Sequence, residues 1–263
     1  MARSARMMAV LTAVALAASA LVACSSDGNP SAGPSTSTTP GVTGTITVFA
    51  ASSLTDVFEE IATEFEAANP GSNVEFNFAA SSQLATQVNE GAPADVLATA
   101  STGTMKTVTD AGNNEGDPVV FVKNQLVIAV EKGNPKNIQS LQDLTKPGVT
   151  VVLCAEEVPC GAAAKTAIQS ANLSITPVSF EQNVRDALGK VGEADAALVY
   201  RTDAAIDDQV QAVEFAESAS AIQSYPIATL KDAPNPEGAA AFVAWVLSDK
   251  GAAKLDAFGF QKP

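Results

Sequence analysis

The apolar positions of residues 45–65 change period once. Ile46, Val48 and Ala50 alternate with Thr45, Thr47 and Phe49, the two-residue period of a strand. Leu54, Val57, Phe58, Ile61 and Phe65 then recur at helical spacing. Between them, Ala50-Ala51-Ser52-Ser53 is too small to pack as strand or helix core. The pattern predicts strand, sharp turn and helix, with Ser53 at the N-cap. Helix N-termini carry free backbone N–H groups and the positive end of the macrodipole. A serine placed there either caps its helix and nothing more, or forms part of an anion site.

The same change of period recurs. Residues 74–79 alternate as a strand, Ala80-Ser81-Ser82 follows, and Leu84 and Val88 open a short helix to Glu90. Gly91-Ala92-Pro93-Ala94 turns into a strand over 95–100, then a weak helix over 104–111. Residues 119–121 and 125–130 read as strands on either side of Lys123-Asn124. After a turn at Gly133-Asn134-Pro135, the pattern gives a short helix over 138–144 and a buried strand over 150–153. Pro159-Cys160-Gly161 opens a helix over 162–171. A short strand over 176–180 leads to Glu181-Gln182-Asn183, which opens a helix over 184–191. Further strands fall over 194–200 and 225–230, with a strand or loop edge over 210–215. Two helices, 236–247 and 250–258, close the chain.

Alternating strands and helices imply α/β sheets with helices on both faces. The expected architecture is two lobes, each a mixed sheet flanked by helices, with a cleft between. Lobe 1 takes residues 45–123 plus 225–263, and lobe 2 takes 124–224. The chain would pass between lobes twice, near Lys123-Asn124 and near Ser224-Tyr225, a hinge suited to closing on a ligand.

The N-terminal residues bear on the compartment. Arg3 and Arg6 precede an apolar run over 7–23, which reads as a signal-peptide core. It ends in Leu21-Val22-Ala23-Cys24, which resembles the lipobox of bacterial lipoproteins. That resemblance implies cleavage after a signal peptide at 1–23, acylation of Cys24 and an extracytoplasmic protein held to the membrane only by its lipid. Residues 24–44 are rich in Ser, Thr, Pro and Gly and read as a disordered tether.

Composition removes several chemistries. The net charge is −14, and losing Arg3 and Arg6 with the signal takes it to −16, which argues against a nucleic-acid partner. Histidine is absent, so there is no His-based triad, His general base or His metal ligand. Ser52-Ser53 and Ser81-Ser82 also lack the G-x-S-x-G elbow of a serine hydrolase. The expectation is that the chain is not an enzyme and uses no cofactor. Cys154 and Cys160 lie six apart; in an oxidising compartment they read as a local disulfide. Their spacing is not that of a redox dithiol, and two thiols alone make a poor zinc site.

Eight motifs, in order, then carry a resemblance. They are Val48-Phe49-Ala50-Ala51-Ser52-Ser53-Leu54-Thr55, Phe78-Ala79-Ala80-Ser81-Ser82-Gln83-Leu84, Gly91-Ala92-Pro93-Ala94-Asp95-Val96 and Glu157-Val158-Pro159-Cys160-Gly161. Glu181-Gln182-Asn183-Val184-Arg185, Leu198-Val199-Tyr200, Tyr225-Pro226-Ile227 and Phe258-Gly259-Phe260 complete them. Over residues 45–260 the chain resembles the molybdate-binding proteins of ATP-driven uptake systems, within the type II periplasmic binding fold. The resemblance implies capture of molybdate or tungstate by a monomer, and delivery to the permease and ATPase of an ABC importer. It also implies a pocket made of Ser53 and Ser81 through hydroxyl and amide, Cys160 and Val184 through backbone N–H, and the Tyr200 hydroxyl. Molybdenum would be held only as its oxyanion, through these same residues. Ser82 is the adjacent alternative to Ser81. The family more often has alanine at the Cys160 position.

Neutral donors at helix starts would suit a fully deprotonated dianion, because a bound O–H would need an acceptor. The alternatives are a binding protein for another oxyanion such as sulfate, or for a small organic ligand. An amino-acid site would need an arginine and an acid, which none of these positions supplies. Arg185 is expected to pair with an acid such as Asp186 or Asp195, Asp95 to hold a turn or cap, and Trp245 to pack in the core or on a lobe surface.

Overall fold

The computed structural model describes residues 42–263. The expected signal peptide at 1–23, Cys24 and the tether up to residue 41 lie outside the described residues. From there the chain forms β1 (Gly44–Ala51), a 3₁₀ turn (Ser52–Leu54), α1 (Thr55–Ala68), β2 (Ser72–Ala79), α2 (Ser81–Asn89), β3 (Val96–Ala98), α3 (Thr102–Asp110) and β4 (Asn114–Asn124). Next come β5 (Leu126–Glu131), a 3₁₀ turn (Leu141–Thr145), β6 (Val151–Cys154), α4 (Pro159–Ser170), β7 (Ser179–Glu181), α5 (Val184–Leu188) and β8 (Ala196–Tyr200). The chain ends with α6 (Arg201–Ala205), β9 (Val210–Val213), a 3₁₀ turn (Ala216–Ala221), β10 (Gln223–Leu230), α7 (Pro236–Leu247) and α8 (Asp249–Ala257).

The strands make two mixed five-stranded sheets with one plan. The first has the order β2-β1-β3-β10-β4, and the second β7-β6-β8-β5-β9. In the first, β1 runs parallel to β2 and β3, while β10 runs antiparallel to β3 and β4. In the second, β6 runs parallel to β7 and β8, while β5 runs antiparallel to β8 and β9. Between the sheets the chain passes through Gln125 outward and through Ile222 on its return. The strands flanking these passages, β4 and β10, lie side by side, with Gln223 opposite Asn124 and Ser224 opposite Lys123.

Packing follows the apolar pattern. Val57, Phe58, Ile61, Ala62 and Phe65 of α1 are buried, as are Phe242 and Val246 of α7. Phe242 meets Phe58 and Phe65 edge-on, at 6.0 and 5.5 Å between ring centres. Trp245 packs edge-on to Phe65 at 5.8 Å, with the Lys250 ammonium 4.9 Å from its ring centre. Buried Asp95 ties three elements together: its carboxylate accepts the main-chain N–H of Thr47 in β1 at 2.7 Å and of Asn235 before α7 at 2.6 Å.

Besides α6 and the 3₁₀ turn at Ala216–Ala221, which the sequence did not announce, and a helix after Asn183 that stops at Leu188, four features differ from the sequence expectation. Residues 138–144 form a 3₁₀ turn over Leu141–Thr145 in place of a helix. Asn134 takes φ of 50° and its side chain bonds both the N–H and C=O of Ile138, which holds 134–138 in a loop. The strand expected over 176–180 is shorter and later, at β7, because Pro177 offers no N–H to a ladder. The strand expected over 119–121 begins five residues earlier, through Gly116 and Pro118, which a sheet-edge position tolerates. Ser53 is no N-cap. It sits inside the 3₁₀ turn; Leu54 takes the N-cap position of α1, and no side chain caps either element.

Candidate functional site

The carboxyl ends of the parallel strands in both sheets face one cavity. Ala51, Ser52 and Ser53 follow β1, Ala79 to Ser81 end β2 and open α2, and Ala100 lies beyond β3. From the second sheet come Val158 to Cys160 after β6, Asn183 and Val184 after β7, and Tyr200 at the end of β8. Strand carboxyl ends are where open α/β sheets bind ligands, since helix N-termini gather there. The cavity holds about 220 Å³ of empty space, part of it continuous with solvent. The part of it open to the centre of a water-sized sphere is about 10 Å³, close to one such sphere, so the walls are close-set and suit only a very small ligand. No lining residue carries a charged side chain.

All five residues read from the sequence, Ser53, Ser81, Cys160, Val184 and Tyr200, line this cavity, and Ser82 does not. Ser81 is the first residue of α2, and its Oγ accepts the Ala100 N–H at 2.9 Å. Cys160 is the second residue of α4, after Pro159, and is disulfide-bonded to Cys154 across 5.8 Å between Cα atoms. Gly161 follows because a Cβ there would lie 1.9 Å from the Ala155 carbonyl oxygen. Val184 is the first residue of α5. The N-cap Asn183 accepts the N–H groups of Arg185 and Asp186 at 2.9 and 3.0 Å, so its side chain serves the two later amides. First-turn amides have no acceptor inside their own helix, which leaves those of Cys160 and Val184 to find partners elsewhere.

Tyr200 is buried, and among the described residues its hydroxyl has no hydrogen-bond partner. Burial, helped by neighbouring Tyr225 and Asp203, pushes this hydroxyl well above the usual phenol range, so it stays a neutral donor. An unpaired O–H at the wall of a polar cavity is free to donate into it.

Sequence reasoning missed the ion cluster beside the cavity. Arg185 pairs with Asp56 of α1 and with Asp203 of α6, whose Oδ1 lies 3.0 Å from its Nε, and not with Asp186 or Asp195. Those two acids are engaged elsewhere. Asp186 accepts from Asn183 at 2.7 Å, and Asp195 accepts from the Thr150 N–H and hydroxyl, each at 2.8 Å. Arg185 Nε also donates to the Ser52 carbonyl at 3.3 Å. One side chain on the second sheet's α5 therefore grips two points on the first sheet's side. Asp203 is fully buried, and burial raises its carboxyl to about 7, with Arg185 opposing and Asp56 adding to the shift. The acidic partners of Arg185 lie 18 and 129 positions away in sequence, so no local spacing announces them.

The structure shares its fold with solved solute-binding proteins. The periplasmic molybdate-binding protein of Azotobacter vinelandii matches with a TM-score of 0.73 at 18% identity, over 83% of this chain and 99% of that one. The sulfate-binding protein SubI of Mycobacterium tuberculosis matches with a TM-score of 0.71 at 19% identity, over 83% of this chain and 86% of that one. At these identities the likeness shows the fold and leaves the anion open. In sequence, the molybdate-binding protein ModA of Mycobacterium tuberculosis is 45% identical over 252 residues, 95% of each chain. The family model for bacterial extracellular solute-binding proteins matches residues 46–261. With nearly every described residue inside that match, the chain belongs to the bacterial extracellular solute-binding protein family.

Proposed function

We propose that this protein captures molybdate, and also tungstate, in the cavity between its two sheets and delivers it to the permease and ATPase of an ABC importer. The observation that carries the reading is the cavity itself. Ser53, Ser81, Cys160, Val184 and Tyr200 come together there with hydroxyl and amide donors and no charged side chain. Fixed dipoles stabilise a dianion without a counter-charge when several helix starts face it. The 45%-identical relative named a molybdate-binding protein supports the choice of anion. The site is completed by residues of one chain, which supports a working monomer.

Calorimetric titration with molybdate, tungstate, sulfate and phosphate tests the reading. Molybdate and tungstate are expected to bind tightly. Sulfate is expected to bind far more weakly, because a smaller anion cannot reach every donor at hydrogen-bond distance. Equal affinity for sulfate and molybdate would replace the reading with a general oxyanion receptor.

The lipobox-like Leu21-Val22-Ala23-Cys24 supports anchoring outside the cytoplasm through a lipid on Cys24. A Cys24→Ser variant is expected to leave the membrane fraction or to stay unprocessed. Recovery of the variant at mature size with membranes would reject the anchor.

A further inference from the structure

We propose that Tyr225 sets the direction in which the Ser53 hydroxyl donates, and thereby makes the cavity selective for an oxyanion that carries no proton. The inference rests on the molybdate reading above. Tyr225 opens one of the sequence motifs, lines no part of the cavity, and lies fully buried behind it on β10. Its hydroxyl oxygen is 3.0 Å from Ser53 Oγ, a distance at which either group can donate.

The neighbours decide which one does. Asn124 Oδ1 accepts the main-chain N–H of Gln125 at 2.9 Å, and this fixes the two ends of the amide. The Asn124 Nδ2 end therefore faces Thr202 Oγ1 at 2.8 Å and the Tyr225 oxygen at 3.5 Å. An amide nitrogen only donates. If Ser53 donated to Tyr225, the tyrosine proton would face the Asn124 N–H or turn toward the Tyr200 oxygen, which makes no hydrogen bond of proper geometry. With the tyrosine donating to Ser53, every proton in the chain Asn124–Tyr225–Ser53 has an acceptor except the serine's own. That proton is left for the cavity. Burial keeps the Tyr225 phenol protonated, so the arrangement persists across the ordinary pH range.

Ser81 is polarised the same way by a different group. Its Oγ accepts the Ala100 N–H at 2.9 Å, so its proton too is free for the cavity. Both serines then present O–H, as does the unpaired Tyr200 hydroxyl, and the first-turn amides of Cys160 and Val184 present N–H. The one side-chain carbonyl among the lining residues, Asn183 Oδ1, is already taken by the N–H groups of Arg185 and Asp186, which leaves no free side-chain carboxylate or amide oxygen to accept the proton of hydrogen phosphate, and a buried donor facing a donor loses its bond. Removing the Tyr225 hydroxyl would let Ser53 turn and accept.

The test is calorimetric titration of the purified protein with molybdate and with phosphate, for the parent, Tyr225→Phe, Ser53→Ala and the double variant. Tyr225→Phe is expected to weaken molybdate roughly 3- to 30-fold and to narrow the molybdate-to-phosphate ratio by about tenfold. In the Ser53→Ala background, Tyr225→Phe is expected to add less than about twofold, because it acts through the missing hydroxyl. Asn124→Ala, which leaves both hydroxyls in place, is expected to narrow the ratio in the same direction. An unchanged ratio in Tyr225→Phe, or losses that multiply in the double variant, would overturn the inference while the molybdate reading stands. A parent protein that binds no molybdate would reject that reading, and this inference with it.

Discussion

A serine can donate or accept, and what decides between them lies outside the motif that contains it. Ser81 has its polarity set by a main-chain N–H from Ala100, a contact nineteen residues away. Tyr200 has no such partner; its hydroxyl is buried at the cavity wall with nothing to bond among the described residues. Both are therefore expected to matter for binding and much less for folding. Losing one charge-assisted hydrogen bond should weaken molybdate roughly 10- to 150-fold in Ser81→Ala and in Tyr200→Phe. Ser82→Ala, off the cavity, is expected to leave binding within about twofold, the scatter of distant substitutions. Calorimetry on the three variants checks this, and unchanged binding in both cavity variants would move the site elsewhere.

Among the elements, the loop from β6 into α4 is the most constrained. Cys154 ends the strand, Cys160 lies in the first turn of the helix, and Gly161 lets the helix start press against the Ala155 carbonyl. The disulfide closes this loop in the denatured chain too, which the chain-entropy model values at roughly 2–3 kcal/mol for a loop so short. Cys154→Ser with Cys160→Ala is expected to lower the unfolding midpoint while weakening molybdate only modestly, because the donor at 160 is the amide. Thermal unfolding and titration of the same variant separate the two effects. A collapse of binding with an unchanged midpoint would show that the disulfide shapes the pocket more than it stabilises the fold. Elements with a strong apolar period, such as α1, β1 and α7, were legible along the chain. The helix expected over 138–144 was not, because Asn134 bonds Ile138 on both sides and holds the backbone in a loop.

At the scale of the molecule, Arg185 adds a side-chain tie to the two chain passages, at Gln125 and Ile222, between the sheets. It pairs with Asp56 and donates to the Ser52 carbonyl on one side, and pairs with buried Asp203 on its own. Asp203 titrates near 7 in the folded protein against an ordinary 3.8. Between those values the folded chain holds a proton that the unfolded chain has lost. The group's contribution to stability is thus fully present below about 3.8 and is lost as pH rises through about 7. Removing the arginine strands a buried carboxylate, which costs on the order of 3–5 kcal/mol when it is charged. Arg185→Ala is therefore expected to lower the unfolding midpoint more at pH 8 than at pH 5, and Asp203→Asn is expected to restore much of the loss at pH 8. Anion selectivity should change little in either variant, since neither residue lines the cavity. A pH-independent loss would show that Asp203 is not the group being stranded.

Most of the strands and helices, and the gathering of Ser53, Ser81, Cys160, Val184 and Tyr200 around one cavity, could be read from the sequence, because periodicity and motif are local properties. The partners that give those residues their chemistry could not. Ser53 meets Tyr225 across 172 positions, Asn124 meets Thr202 across 78, and Arg185 meets Asp56 across 129. A serine's spacing in a turn says that a hydroxyl is present. Which way its proton points is fixed by buried donors brought to it from other strands, and burial makes that choice binding because no water is there to satisfy the alternative.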